Sequence, residues 1–204
     1  MKNSVHFLNY FPMCGIIENS ESSYFDEIFQ NIEFDLIITN VKAIESNEEE
    51  NTIYTKYSKY KRRNIKIEGI DITKSNVEKL VTIIKKIKPK SLFFERCLFK
   101  YFDFRGALYE PLEILSVTNC NLTFYEARRI FGSLDPGQHY SIDFSNNNIG
   151  LNGEKFYEEN ISDIIGYYDI SPLILRNNGF TDEIISKFRK ALIQYDEEEY
   201  VIFK

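Results

Sequence analysis

Apolar residues recur in pairs two positions apart: Ile65 and Ile67, Leu92 and Phe94, Leu115 and Val117, Ile142 and Phe144, Leu173 and Leu175. An apolar–any–apolar step sends both side chains to one face of an extended segment, so each pair predicts a short strand with one buried face. Between the pairs the period changes. Ser75 to Lys88 carries Val77, Leu80, Val81, Ile84 and Ile87, the stripe of a one-sided helix, and Pro89 stops it. Thr123 to Leu134 carries Ala127, Ile130, Phe131 and Leu134, with Thr123 placed as N-cap and Glu126 three residues on as a capping box. Thr181 to Ile193 has the same design with Ile184, Ile185, Phe188 and Leu192, and Ser22 to Ile32 presents Phe25, Ile28, Phe29 and Ile32. Strand followed by helix, several times over, predicts a parallel sheet inside and helices outside.

Two further positions follow each pair. They are Ile70 and Ile72, Cys97 and Phe99, Cys120 and Leu122, Asn147 and Ile149, Asn178 and Phe180. The first strand position falls at 65, 92, 115, 142 and 173, giving spacings of 27, 23, 27 and 31. A self-similar period of this length is the signature of a stacked architecture. An asparagine where the chain leaves its strand can turn its amide along the stack and satisfy backbone groups there. A small buried cysteine fits the same place, whereas Ile70 departs from the pattern.

With Leu112 ahead of Leu115, the Asn147-Asn-Ile-Gly-Leu-Asn-Gly153 turn and Asn178-Gly-Phe-Thr-Asp-Glu183, the chain resembles the ribonuclease-inhibitor-like class of leucine-rich repeats. That class uses units of about 28 residues with a full helix. The resemblance implies an α/β leucine-rich-repeat solenoid, with a curved parallel β-sheet on its concave face and helices on its convex face. Residues 1–204 form one domain, with about five clear repeats over 65–193. Residues 1–64 hold irregular N-terminal units or a cap. There, Phe34, Leu36, Thr39 and Val41 fit one register, and Leu36, Ile38, Val41 and Ala43 fit another; Val5, Phe7 and Tyr10 fit a first strand. Residues 194–204 supply a C-terminal cap strand around Tyr200 to Phe203, with Val201 aligned to Leu173.

Composition changes this picture little, and charge changes it more. Hydrophobic residues at 43% suffice for one continuous core, and no apolar run of about 18 residues predicts a membrane span or a leader. Three cysteines without framework spacing (Cys14, Cys97 and Cys120) predict reduced thiols and a cytoplasmic setting. The net charge is −6, yet residues 56 to 90 carry twelve Lys and Arg against three acids. Within and beside this window Tyr57, Lys59, Tyr60, Lys61, Arg62, Arg63, Lys85 and Lys86 could dock RNA, cations on phosphates and tyrosines on bases. A solvated loop and helix face is the competing reading of the same residues.

Candidate chemistry is sparse. His6 and His139 belong to no motif, no Gly-rich phosphate loop occurs, and Cys and His lack zinc spacing. We therefore expect a non-enzymatic protein without cofactor, metal or small-molecule substrate. Strand alternation places Lys66, Phe93, Ser116, Asp143 and Ile174 in one column of the concave face, and Glu68, Glu95, Thr118, Ser145 and Arg176 in another. The expected partner-binding residues are Lys66, Phe93, Glu95, Ile114, Ser116, Asp143, Ile174 and Arg176. The expectation is a protein-binding scaffold, with a ribosome or other ribonucleoprotein as the alternative partner through residues 54–90. Small-GTPase activators are built from similar repeats and end in an acidic run. Arg176 and Asp196 to Glu199 are superficially similar to them, which gives a second alternative, a GTPase regulator.

Overall fold

The computed structural model describes residues 29, 32–39, 64–101, 104, 106–108, 112–135, 138–152, 169–193 and 201–203. The expected strand at Val5 to Tyr10, the acidic run 196–199 and most of the helix expected over 22–32 lie outside them.

Among the described residues seven strands form one sheet: β1 (Leu36–Ile38), β2 (Asn64–Glu68), β4 (Ser91–Glu95), β6 (Ile114–Thr118), β7 (His139–Asp143), β8 (Asp169–Ile174) and β9 (Val201–Ile202). Neighbours in the sheet follow the chain, and each pair is parallel. The pairing places Leu36, Ile65, Leu92, Leu115, Ile142, Leu173 and Val201 side by side. Leu36 therefore opposes Ile65 and Ile38 opposes Ile67, which selects the second of the two registers before residue 64.

Among the described residues three helices return the chain to the next strand: α1 (Lys74–Ile87), α2 (Phe124–Phe131) and α3 (Asp182–Ile193). Helix α1 buries Val77, Leu80, Ile83, Ile84 and Ile87, while Val81 sits at the flank of the stripe. Helix α2 buries Phe124, Ala127, Ile130 and Phe131. The core between helices and sheet contains Ile65, Ile67, Leu92, Leu115, Val117, Ile142, Phe144, Leu173 and Leu175, all essentially inaccessible. Phe94, Phe99 and Phe104 pack edge to face within it, as do Phe180, Phe188 and Phe203 at the C-terminal end. Such pairs add roughly 0.5–1.5 kcal/mol each beyond their burial.

Each helix start is fixed by a side chain. The backbone N–H of Thr123 donates to Glu126 Oε2 at 2.9 Å, and that of Thr73 to Asn76 Oδ1 at 2.8 Å. Both complete capping boxes. At α3 the N–H of Ile184 reaches Thr181 Oγ1 at 3.3 Å.

The chain leaves each interior strand the same way. Gly69, Arg96, Asn119, Asn146 and Asn177 all have left-handed φ, between 53° and 67°. The next residue is Ile70, Cys97, Cys120, Asn147 or Asn178, and each is buried. The Asn147 amide nitrogen donates to the carbonyls of Val117 (2.7 Å), Phe144 (2.9 Å) and Ser145 (3.2 Å). Its Oδ1 accepts from the N–H groups of Cys120 (2.9 Å) and Leu122 (3.1 Å). Asn178 does the same one strand on, donating to Phe144, Leu175 and Arg176 carbonyls and accepting from Ile149 N–H. Cys120 Sγ accepts from Cys97 N–H at 3.3 Å and lies 3.1 Å from the Thr118 carbonyl. The hydrogen bond between the Cys97 and Cys120 thiols, together with burial, pushes the Cys120 thiol well above the ordinary thiol range, so it stays protonated.

Two features depart from the expected pattern. Asp71–Ile72 (β3) and Leu98–Phe99 (β5) form a separate two-stranded parallel sheet, held also by Lys100 N–H on the Ile72 carbonyl at 2.9 Å. Between β7 and β8 the register shifts, Tyr140 opposing Ile170 but Ile142 opposing Leu173. The extra residue of β8 falls beside Pro172, which has no N–H to give a regular ladder, so the bulge removes that conflict. Tyr140, fully buried, donates its hydroxyl to the Leu108 carbonyl and accepts from Asp135 N–H, both at 2.9 Å.

Candidate functional site on the sheet face opposite the helices

The sheet face turned away from the helices carries the expected columns. Strand pairing aligns Ile37, Lys66, Phe93, Ser116, Asp143, Ile174 and Ile202. It also aligns Glu68, Glu95 and Thr118. Beyond the strand ends the ladder continues through Arg96 N–H on the Thr118 carbonyl, Asn119 N–H on Ser145 and Asn146 N–H on Arg176. Ser145 and Arg176 are thereby drawn into the second column. Asn64, Ser91, Ile114 and Ser141 form a third.

Two of the apolar residues expected on this face are covered. Phe93 is 8% exposed and Ile174 is 1% exposed. For Phe93 the cover is visible. Phe34 meets its ring edge-on at 5.0 Å between centroids and Phe29 at 6.4 Å, so the segment ahead of β1 reaches across the face as far as β4. Ser116 is buried too, Ile114 is half-buried, and Lys66, Glu95, Asp143 and Arg176 are half-buried.

What remains open is a groove of about 290 Å³ lined by Phe29, Phe34, Lys66, Phe93, Glu95, Ser116, Thr118 and Asp143. Its walls are aromatic and its rim is charged. The Lys66 ammonium lies 3.1 Å from Glu68, pairs with Glu95 as well, and sits 5.8 Å from the Phe34 ring centroid. Arg96 closes the network on the same two carboxylates. Pairs this exposed contribute about 0–1 kcal/mol each, so their effect is to set the order of charges along the rim more than to stabilise the fold. Asp143 accepts from Ser145 N–H at 2.8 Å, which fixes its carboxylate at the far wall. Sequence reasoning missed Phe29, Phe34 and Arg96. Phe34 was legible only as one end of a strand register, and nothing in the pattern indicates that it crosses two strands.

Lys85 and Lys86 are exposed on α1, far along the chain from the groove residues of β6 and β7. Tyr57, Lys59, Tyr60, Lys61, Arg62 and Arg63 lie outside the described residues. Cys97 and Cys120 are buried and unbridged; Cys14 lies outside the described residues. Among the described residues no cluster of His, Cys, Asp and Glu is placed to hold a metal ion, and no helix is long and apolar enough to cross a membrane. Comparison with protein-family models, with curated proteins and with solved structures gives no match for this chain.

Proposed function

We propose that the chain is a leucine-rich-repeat solenoid of the ribonuclease-inhibitor-like class. In this reading it is a non-enzymatic scaffold that takes a protein partner on its concave sheet. One observation carries this: equivalent sequence positions lie in register across six neighbouring strand pairs. Behind them runs a row of buried thiols and amides, and in front lies a groove with aromatic walls and a charged rim. A partner would seat against Lys66, Glu95, Thr118, Asp143 and Arg176, with Phe93, Ser116 and Ile174 supporting that surface from below and Ile114 at its margin. Aromatic floors ringed by polar groups are the usual composition of the energetic centre of an interface.

Phe93 is too deeply packed to serve as the test residue, since charging it would disturb the fold. Thr118 is half-buried at the groove and touches its open space. Thr118→Arg fills the groove with a long side chain while leaving the core intact. Affinity capture from the native cells with wild-type bait should recover a partner that the Thr118→Arg bait loses. Melting of the two proteins should agree to within about 0.5 kcal/mol. Equal recovery of that partner by both baits would show that the concave groove is not its binding site.

A further inference from the structure

Two neighbouring strand-end positions hold thiols. Cys97 and Cys120 sit two residues beyond Glu95 and Thr118, which oppose each other in the sheet. Adjacent strands lie about 4.8 Å apart, inside the Cα span of roughly 4.4–6.8 Å that a disulfide can bridge. The side chains already meet. The two thiols are hydrogen-bonded to each other, and the Cys97 N–H reaches Cys120 Sγ at 3.3 Å. Both residues are buried and unbridged. The turn that carries Cys97 is thin, because Arg96 before it and Leu98 after it are exposed. Cys97 is one residue below the surface, where a small oxidant needs only a local opening of the turn.

Asparagine serves this position better than a thiol does. Asn147 bonds carbonyls and N–H groups on both sides of it. A thiol is a weak donor. Cys97 Sγ lies 3.4 Å from the Ile67 carbonyl and 3.6 Å from that of Glu95, and Cys120 Sγ 3.5 Å from that of Phe94 and 3.1 Å from that of Thr118. What cysteine adds is redox chemistry that an amide lacks. The order of reaction is built in. The hydrogen bond from Cys120 holds the Cys97 thiol below the ordinary range, against its burial, while Cys120 keeps its proton. Cys97 is thus the attacking sulfur. Two of the four carbonyls belong to Glu95 and Thr118, which line the groove.

We propose that Cys97 and Cys120 are a peroxide-sensitive redox site, which closes to a disulfide and thereby releases the main chain of the groove wall at Glu95 and Thr118. Hydrogen peroxide is the oxidant. Cys97 Sγ, giving up its proton, attacks one peroxide oxygen. The O–O bond breaks, and the departing hydroxide takes that proton and leaves as water, with a sulfenic acid on Cys97. Cys120 Sγ then attacks the Cys97 sulfur, the S–O bond breaks, and the hydroxide leaves with the Cys120 proton as a second water. Two electrons pass from the thiols to the peroxide. The disulfide has no S–H, so the four carbonyls lose their sulfur donors. The site does not rest on a partner binding in the groove.

The test is mass spectrometry of the folded full chain, wild type and Cys14→Ser, after mild treatment with hydrogen peroxide and alkylation of the remaining thiols. The expected product is lighter by two hydrogens, has the Cys97 and Cys120 peptides joined, and is restored by dithiothreitol. In Cys120→Ser, Cys97 should stop at the sulfenic acid and be captured by dimedone. In Cys97→Ser, Cys120 should react at least about tenfold more slowly. Hydrogen exchange in peptides spanning 91–99 and 114–122 should accelerate on oxidation and return on reduction. The wild-type peptide map and exchange carry the test alone should a serine variant fail to fold. Survival of both thiols in the folded chain overturns the proposal. So does pairing with Cys14 or between chains in place of the Cys97–Cys120 bridge, a disulfide that forms only in urea, or one that leaves hydrogen exchange unchanged.

Discussion

Asn147 and Asn178 each satisfy several main-chain groups at the point where a strand ends. Replacing Asn178 with Leu keeps the volume but removes its bonds to the Phe144, Leu175 and Arg176 carbonyls and to Ile149 N–H. Each buried group left unpaired costs roughly 1–3 kcal/mol. Asn178→Leu should therefore lose several kcal/mol in a denaturant melt, and a melt like the wild type's would mean that the amide is not bonded as described. These asparagines were legible in the sequence because few residue types can bond in both directions at a fixed offset from an apolar pair. Gly150 was legible as part of a turn motif, but its reason is spatial. A Cβ there would lie 2.4 Å from the Phe180 nitrogen and 2.6 Å from the Asn178 carbonyl oxygen. Tyr140 was not legible, since its hydroxyl partners, Leu108 and Asp135, come from segments with no periodic signal.

The best signal among the elements came from the helix starts. Thr123 and Glu126 announce α2 in the sequence, and the structure bonds them as a capping box. Thr123→Ala should lower stability by about 1 kcal/mol, the usual loss for a capping residue. Adding Glu126→Ala to it should add little, because the two side chains form one reciprocal unit; a fully additive double mutant in chemical denaturation would contradict that. The β3–β5 ribbon was hidden because two-residue strands have no period of their own. The bulge in β8 was not legible: only the pairing of Tyr140 with Ile170 and of Ile142 with Leu173 locates the extra residue beside Pro172.

At the scale of the whole molecule, strand order in the large sheet follows chain order, so each interior strand is hydrogen-bonded to the sheet strands that precede and follow it. The effect of Asn178→Leu should accordingly be local. Native-state hydrogen exchange should accelerate in β7, β8 and β9 and stay close to wild type in β2 and β4, whereas uniform acceleration would indicate a single cooperative unit. The sheet face turned away from the helices was the least legible part of the chain. Alternation assigned Phe93 and Ile174 correctly to that side of the sheet, but a side is not an exposure. The cover over Phe93 comes from Phe29 and Phe34, more than fifty residues away in sequence, and no local pattern records such a meeting.

The even pairing of the sheet also bears on how the chain finds its structure. The partners in successive strand pairs, Leu36 to Ile65 through Leu173 to Val201, are separated by 23 to 31 residues in every case. Loop closure therefore costs nearly the same entropy at each step, because that cost grows only with the logarithm of loop length. No single distant contact has to form before the others, and a nucleus in any interior strand pair can grow outward in both directions. The three-residue β1 and the two-residue β9 then dock last on folding and detach first on unfolding.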